Sequence, residues 1–234
     1  ESISPCFGYR NIYQQLQQEG YNLGKNKVLK LMNSRGIKAI YPHKKINTSA
    51  KNNEHKIYKY LLKEFINNNK QIVAKYPNHI WSGDISYIKI NGGYMYLAAV
   101  IDWHSRCILS WQLSNTMDAT LATSVLQEAI DKYGTPEIFN SDQGSQYTSR
   151  AHTTLLSDNN ITISMNGKGR SIDNIIIERF FRSIKYECVY INEYLSVKQL
   201  RKDIRKYMHF YNVNRFHSSL NYRKPQEVYL KIAA

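Results

Sequence analysis

Apolar and polar positions change rhythm along the chain. In residues 8–36, GYRNIYQQLQQEGYNLGKNKVLKLMNSRG, the side chains Ile12, Leu16, Val28, Leu29, Leu31 and Met32 fall at helical spacing, and the glycine-bearing EGYNLGK separates the two runs. This predicts two short helices with a tight turn, the second stopped by Gly36. Such a pair is a helix-turn-helix candidate, whose second helix would offer Lys25, Lys27, Lys30 and Arg35 to phosphates or base edges. Alone, the pattern fits a plain helical hairpin equally well. The following HKKINTSAKNNEHK is predicted as a linker and KIYKYLLKEFINNN as a connecting helix, a tract too rich in Asn and Lys to form a core.

From Trp81 onward β-branched and aromatic residues take over. HIWSGDISYIKI and YMYLAAVID flank Asn91-Gly92-Gly93, a hairpin signal, and CILSWQLS (107–114) follows as a third strand. DATLATSVLQEAIDKY (118–133) keeps a helical period through Leu121, Val125, Ala129 and Ile130 and stops at Gly134 and Pro136. EIFNSD is predicted as a short strand, SRAHTTLLSDNN as a helix and ITISMN as a strand. SIDNIIIERFFRSIKYECVY is a long helix with Ser171 or Asp173 as its N-cap, and a basic helix over about 196–212 closes the chain.

The element order from Trp81 is therefore β-β-β-α-β-α-β-α. Three strands joined by short turns are antiparallel, and strands reached through a helix run parallel to the first. The expected class is α/β, a mixed five-stranded sheet with flanking helices, preceded by a small helical module. The expected divisions are a helix-turn-helix-like module at 1–42, a basic linker and connecting helix at 43–77, the sheet-bearing core at 78–190 and a basic helical extension at 191–234.

Charge adds a partner. The chain of 234 residues carries a net +14. Residues 1–80 hold 14 Lys and Arg against 4 acids, residues 81–160 hold 4 against 8, and residues 161–234 hold 14 against 6. Two basic flanks around a slightly acidic middle fit a polyanion, because neutralised phosphates release counterions. No apolar run approaches the roughly 20 residues that span a bilayer, and the opening ESISPCFGYR has no basic start and apolar run, so neither a membrane span nor a signal peptide is expected. The missing initial Met fits a processed or truncated product. Cys6, Cys107 and Cys188 stand far apart without a CxxC pair, which points to reduced thiols, and the seven histidines are scattered rather than spaced as zinc ligands.

Three acids carry the chemistry. Asp84 falls within the first predicted strand and Asp142 ends the fourth. If those strands lie side by side and parallel, the two carboxylates become neighbours at the strand ends, where open α/β sheets bind ligands. Paired carboxylates repel unless a cation separates them, and Mg²⁺ prefers oxygen donors. Glu178 is the third candidate. At about 100° per residue, Ile177, Phe180, Phe181, Ile184 and Cys188 share the arc facing the sheet, with Glu178, Arg182 and Lys185 on the edge beside it. Glu187 falls roughly opposite. Asp102 is a rival, expected to pair with Arg106 at the other end of the sheet. Singly, a strand-end Asp is a turn or cap residue and Glu178 a solvated helix position; only the combination argues for a site.

Thirty-five residues separate Asp142 from Glu178, and Lys185 follows seven later. This spacing resembles the D,D-35-E signature of DDE transposases and retroviral integrases. WSGDISYI, SDQGSQYTS and SMNGKGRSIDNIIIERFFRSIKYE resemble the second-frame (OrfB) transposase of the IS-three family of bacterial insertion sequences. GYRNIYQQL…KNKVLKLM and YNVNRFHSSLNYRKPQEVY resemble that family's upstream helix-turn-helix and its C-terminal end. The resemblance implies an RNase H-like core, with Asp84, Asp142 and Glu178 as catalytic, metal-binding residues. It also implies double-stranded DNA of element ends and target as substrate, an upstream-frame OrfA protein or OrfAB fusion as partner, a homo-oligomer on DNA, and a bacterial cytoplasmic, nucleoid-associated location. Ser86 stands where many relatives have Thr, and the linker before Trp81 is long; neither touches the three acids.

The expected cofactor is a pair of Mg²⁺ ions, replaceable by Mn²⁺ and about 3.5–4 Å apart, with Asp84 bridging and Asp142 and Glu178 completing one site each. Strand cleavage would free a 3′-hydroxyl, which then attacks another phosphodiester in line, without a covalent protein–DNA intermediate. Lys185, Arg182, Lys168 and Arg170 are the expected DNA contacts of the core, and Lys25, Lys27 and Lys30 those of the N-terminal module. Gln143 and Gln146 are candidates for base or phosphate contacts, Asn174 for support of the helix start or the metal, and His217 for a structural hydrogen bond. The alternatives are a catalytically silent DNA-binding regulator derived from a transposase, and an RNase H-type nuclease.

Overall fold

The computed structural model describes residues 7–39, 56–68, 71–167 and 174–231. Lys168, Arg170 and the two expected N-caps Ser171 and Asp173 lie outside these residues, as do Cys6 and most of the linker.

Helices α1 (Tyr9–Gln18) and α2 (Lys25–Ser34) form the N-terminal hairpin. Gly36, at φ +67°, takes the left-handed conformation just past α2 that a residue without Cβ adopts freely. Only one stripe of α2 is covered: Val28 and Met32 are buried, whereas Leu29 and Leu31, expected at core positions, face outward.

The connecting helix expected after Lys56 is not formed. One 3₁₀ turn, Leu62–Phe65, takes its place, and Ile66 pairs with Ile72 in an isolated bridge. Tertiary contacts override helix propensity here. Leu62 is wholly buried in the main core, and the Leu61 amide donates to Ser164 Oγ at 3.1 Å. Leu62, and Ala74 just beyond this tract, pack into the core of the sheet-bearing domain.

The sheet follows the expected plan. Strands β1 (Ile80–Ile90), β2 (Gly93–Asp102), β3 (Ile108–Ser114), β4 (Ile138–Ser141) and β5 (Thr162–Met165) lie in the order β3-β2-β1-β4-β5. β1, β2 and β3 pair antiparallel, and β4 joins β1 and β5 in parallel. Helix α3 (Ala119–Tyr133) starts at Asp118, whose carboxylate accepts the Leu121 amide at 3.0 Å, and ends at Gly134. A short α4 (Ser145–Thr148) precedes α5 (Arg150–Asp158).

Each sheet face carries its own core. On one side Trp81, Val100 and Phe139 pack with Leu121, Val125 and Leu126 of α3 and Leu156 of α5. On the other, Ile88, Leu97 and Ile101 pack with α6 (Ile175–Ile184) and α7 (Val197–Val213). Ile177, Phe180, Phe181, Ile184 and Cys188 are all buried, as their shared arc predicts. The expected single long helix changes pitch: α6 passes into a π-turn over Lys185–Val189. A last short helix, α8 (Pro225–Tyr229), packs on α7.

Candidate active site

β4 pairs with β1 only through Ile80–Ser82, the last pair being Ser82 with Asn140. Asp84 and Asp142 each lie two residues beyond that pair, so the parallel register carries them side by side where the sheet opens. Asp84 remains paired on its other flank, opposite Ala99 of β2, and its Oδ1 accepts the Ile85 amide at 2.8 Å. Asp142 is exposed, and its Oδ1 accepts the Gly144 amide at 2.9 Å.

Two glycines make room for these acids. A Cβ on Gly83 would lie 2.7 Å from Phe139 Cζ and 3.2 Å from the Tyr147 ring, so only hydrogen fits beneath Asp84. A Cβ on Gly144 would come within 2.9 Å of Asp142 Oδ1. Tyr147, buried in α4, forms the floor; its phenol pKa is pushed well up by burial and by the charges of Asp84 and Asp142.

Glu178 projects from the first turn of α6 and is exposed. Its charge reaches Asp84. Burial, Asp142 and Glu178 push the Asp84 carboxyl up to about 8, against the opposing effects of the Ile85 amide and Lys185. Although both side chains reach solvent, the protein around their carboxyls partly desolvates them and raises Asp142 and Glu178 as well. Lys185, at the start of the π-turn, is half-buried; burial lowers its pKa and Asp84 raises it. Its ammonium lies 4.8 Å from the centre of the Tyr87 ring, and the Arg182 guanidinium 5.5 Å from that of Tyr186.

The donor set is chemically suited to a divalent cation: carboxylate oxygens of three acids, whose repulsion at Asp84 is only partly offset by Lys185 and the Ile85 amide. Among the described residues no group of three His, Cys, Asp or Glu side chains is already gathered closely enough to hold an ion. The strand register places Asp84 and Asp142 at the same end of the sheet, and Glu178 acts on Asp84 through its charge from α6.

Other candidates are sorted by their contacts. Asp102 does not pair with the Arg106 side chain. It caps the β2–β3 turn, accepting the Asn78 and Ser105 amides at 2.9 and 2.7 Å and the Ser105 hydroxyl at 2.6 Å, while the Arg106 guanidinium donates to the Trp103 carbonyl. Gln143 and Gln146 donate to the carbonyls of Asn166 and Met117, which ties their amides to neighbouring loops. Glu187 sits in an ion pair with Arg215, away from the acids. His217 is buried with its ring against Tyr211. Asn174 is the N-cap residue of α6, buried, with no side-chain bond to the helix amides. On α2, Lys27 and Lys30 line an outward hollow with Leu31 and Ser34, whereas Lys25 lies over the Tyr13 ring of α1 at 5.4 Å. Sequence reasoning missed Gly83 and Tyr147. An isolated glycine inside a strand run, directly before an acid, was the available signal.

Comparison with known proteins follows the same outline. Integrase core domain families match residues 74–171 and 159–225, and an HTH-like domain family matches residues 2–45. Transposase InsF for insertion sequence IS3A of Escherichia coli is 30% identical over 224 residues, covering 94% of this chain and 76% of the relative. The putative transposase InsK for insertion sequence element IS150 of the same organism is 29% identical over 223 residues, with the same coverage of both chains. The HTLV-2 integrase catalytic core domain in complex with magnesium (dimeric form) superposes with a TM-score of 0.54 at 21% identity, over 66% of this chain and 98% of that one. A chain of the simian T-cell lymphotropic virus intasome in complex with PP2A regulatory subunit B56 gamma gives 0.61 at 17% identity, over 94% and 70%. The sheet is thus the RNase H-like sheet of integrase cores.

Proposed function

Because this chain belongs to the family of insertion-sequence transposases that includes those of IS3, we propose that Asp84, Asp142 and Glu178 are its catalytic acids. The protein is a DDE transposase with an integrase catalytic core, an enzyme that cleaves DNA strands at insertion-sequence ends and transfers the freed 3′-hydroxyl to a new phosphodiester. The observation that supports the residue assignment is that Asp84 and Asp142 each lie two residues past the last β1–β4 pair, Ser82 with Asn140, with the Asp84 carboxyl raised to about 8.

The integrase-type core points to a divalent metal. We assign two magnesium ions to Asp84, Asp142 and Glu178, with manganese as a substitute. Bound there, the metal would polarise a phosphoryl oxygen and lower the pKa of a water or 3′-hydroxyl. The chain's own residues set the rest. Asp84 is held rigidly by its strand and presents the carboxyl least able to ionise alone. Asp142, on the turn before α4, supplies a second carboxylate in register with it. Glu178 closes the site from α6, and Lys185 beside it offers a cation to a phosphate.

The relatives imply DNA binding and assembly on DNA. We assign double-stranded element ends and target as the DNA, contacted by Lys185, Arg182, Lys168 and Arg170 in the core and by Lys25, Lys27 and Lys30 in the N-terminal module. The upstream-frame OrfA product or its fusion is the proposed protein partner. Among the described residues no helix is long and apolar enough to cross a membrane, and we place the enzyme in the bacterial cytoplasm with the nucleoid. The test is strand cleavage and joining on the element's own ends with Mg²⁺. Asp142→Asn is expected to abolish both while retaining DNA binding, and full activity in that variant would overturn the assignment.

A further inference from the structure

Beyond the acids, the outer side of the site is lined with aromatic rings that the core does not use. Tyr87 and Tyr94 project from the β1–β2 hairpin past the point where β4 stops pairing. Their rings meet edge to face at 5.9 Å, and they are 43% and 53% exposed. Tyr186 and Tyr190, on the π-turn and just after it, pair at 5.6 Å, with Tyr190 49% exposed. Lys185 links the two pairs, because it adjoins Tyr186 on the π-turn and its ammonium lies over the Tyr87 ring. Two cations are set into the group: Lys185 over Tyr87 and Arg182 over Tyr186.

This combination has a specific use. Exposed tyrosine faces interleaved with cations suit unstacked bases, since every base has a π-face and its backbone carries a phosphate. A second copy of this chain is a poorer occupant, because a symmetric contact would bring Arg182 and Lys185 against their own counterparts. The patch also begins where the chemistry does, since Tyr87 lies three residues past Asp84 on β1 and Lys185 opens the π-turn that continues the helix bearing Glu178. We propose that Tyr87, Tyr94, Tyr186 and Tyr190 form a stacking platform for unpaired DNA bases next to the cut, with Arg182 and Lys185 holding the attached phosphates. The proposal rests on the transposase function assigned above and adds the form of DNA that the site grips.

The test compares two duplexes, one blunt and one with a short unpaired overhang carrying 2-aminopurine, with a chelator present so that no strand is cut. The full chain is expected to bind the overhang duplex more tightly and to change the aminopurine fluorescence. Replacing all four tyrosines by Ala should lower overhang affinity by about five- to 150-fold for each base unstacked. Blunt-duplex affinity should fall less than overhang affinity, and the salt dependence of binding should stay close to that of the parent chain, because Arg182 and Lys185 keep their charges. The corresponding four Tyr→Phe changes should retain the preference, since they keep the rings.

Four results would overturn the platform: no overhang preference in the parent chain, a preference that survives in the Ala variant, a Phe variant as weak as the Ala variant, or loss of self-association as the sole effect. Failure of the transposase assignment reads differently: the parent chain and Asp142→Asn would then behave alike on element ends with Mg²⁺, whatever the tyrosine variants do.

Discussion

Arg215 grips Glu187 through two parallel hydrogen bonds, Nε to Oε2 at 2.8 Å and Nη2 to Oε1 at 2.6 Å, and Tyr207 donates to the same carboxylate at 2.8 Å. Glu187 lies on the π-turn that begins at Lys185, and Arg215 lies just past the end of α7. The pair therefore fastens the end of the helix bearing Glu178 to the C-terminal part of the chain. Burial alone would lower the Arg215 pKa, but the hydrogen bonds and charge of Glu187 reverse the effect and raise it.

Breaking this pair on one side leaves the other charge nearly buried. Arg215→Ala is expected to destabilise the chain by about 3–5 kcal/mol in urea unfolding. Replacing both residues by apolar ones should cost less than either single change. A double variant whose loss equals the sum of the two single losses would show that the pair does not act as a unit.

The acids set the response to pH and metal. The folded-state pKa of Asp84, about 8, lies above its ordinary value of 3.8, so its stability contribution is present below pH 3.8 and is lost as pH rises through 8. Asp84→Asn is expected to stabilise the metal-free chain at pH 9 by about 1–3 kcal/mol, after allowance for partial solvent access. Mg²⁺ or Mn²⁺ should raise the melting temperature of the parent chain more at pH 8 than at pH 6, where protons compete for Asp84. A metal at about a hundred times its Kd would add about 2.7 kcal/mol. Equal shifts in the parent chain and in Asp84→Asn would refute the site.

Two buried histidines work in the opposite pH range. Burial lowers His152 to about 4, and burial with the charges of Arg215 and Arg106 lowers His217 to about 3. Both are neutral when folded and protonated when unfolded below about 6.5, so stability falls as pH drops from 6.5 toward those values. At pH 5 each costs about 2 kcal/mol relative to pH 7. Neither ring nitrogen of His152 has a hydrogen-bond partner among the described residues, although the Tyr147 backbone is near enough to raise its pKa slightly. His152→Leu should therefore reduce the stability difference between pH 7 and pH 5. An unchanged difference would mean that His152 is not neutral in the folded chain.

Gly83→Ala tests the packing beneath the site. The added methyl meets Phe139 and Tyr147, both buried, and should cost about 1–3 kcal/mol. Strand cleavage should fall further than this loss explains at temperatures where the variant is folded, because relief of the clash displaces Asp84. Cleavage at the parent rate would show that Phe139 yields without moving the acid.

Much of this protein is legible locally. The Asn91-Gly92-Gly93 turn and the crossovers through α3 and α5 determine strand order, because short links make antiparallel neighbours and helical crossovers make parallel ones. That order brings Asp84 beside Asp142, and the buried arc of Ile177, Phe180 and Ile184 fixes which face of α6 meets the sheet, leaving Glu178 outside it, near enough for its charge to act on Asp84. These are consequences of periodicity and chain connectivity, which a sequence carries in full. Contacts between distant segments are another matter. Leu62 leaves a helix-forming tract for the core, Glu187 finds Arg215, Asp102 accepts the Asn78 amide, and Lys185 of the π-turn comes over Tyr87 of the hairpin. No local spacing encodes them, because each depends on where two independently folded surfaces come to rest. Only the packed tertiary structure decides which side chains share a space too small for water.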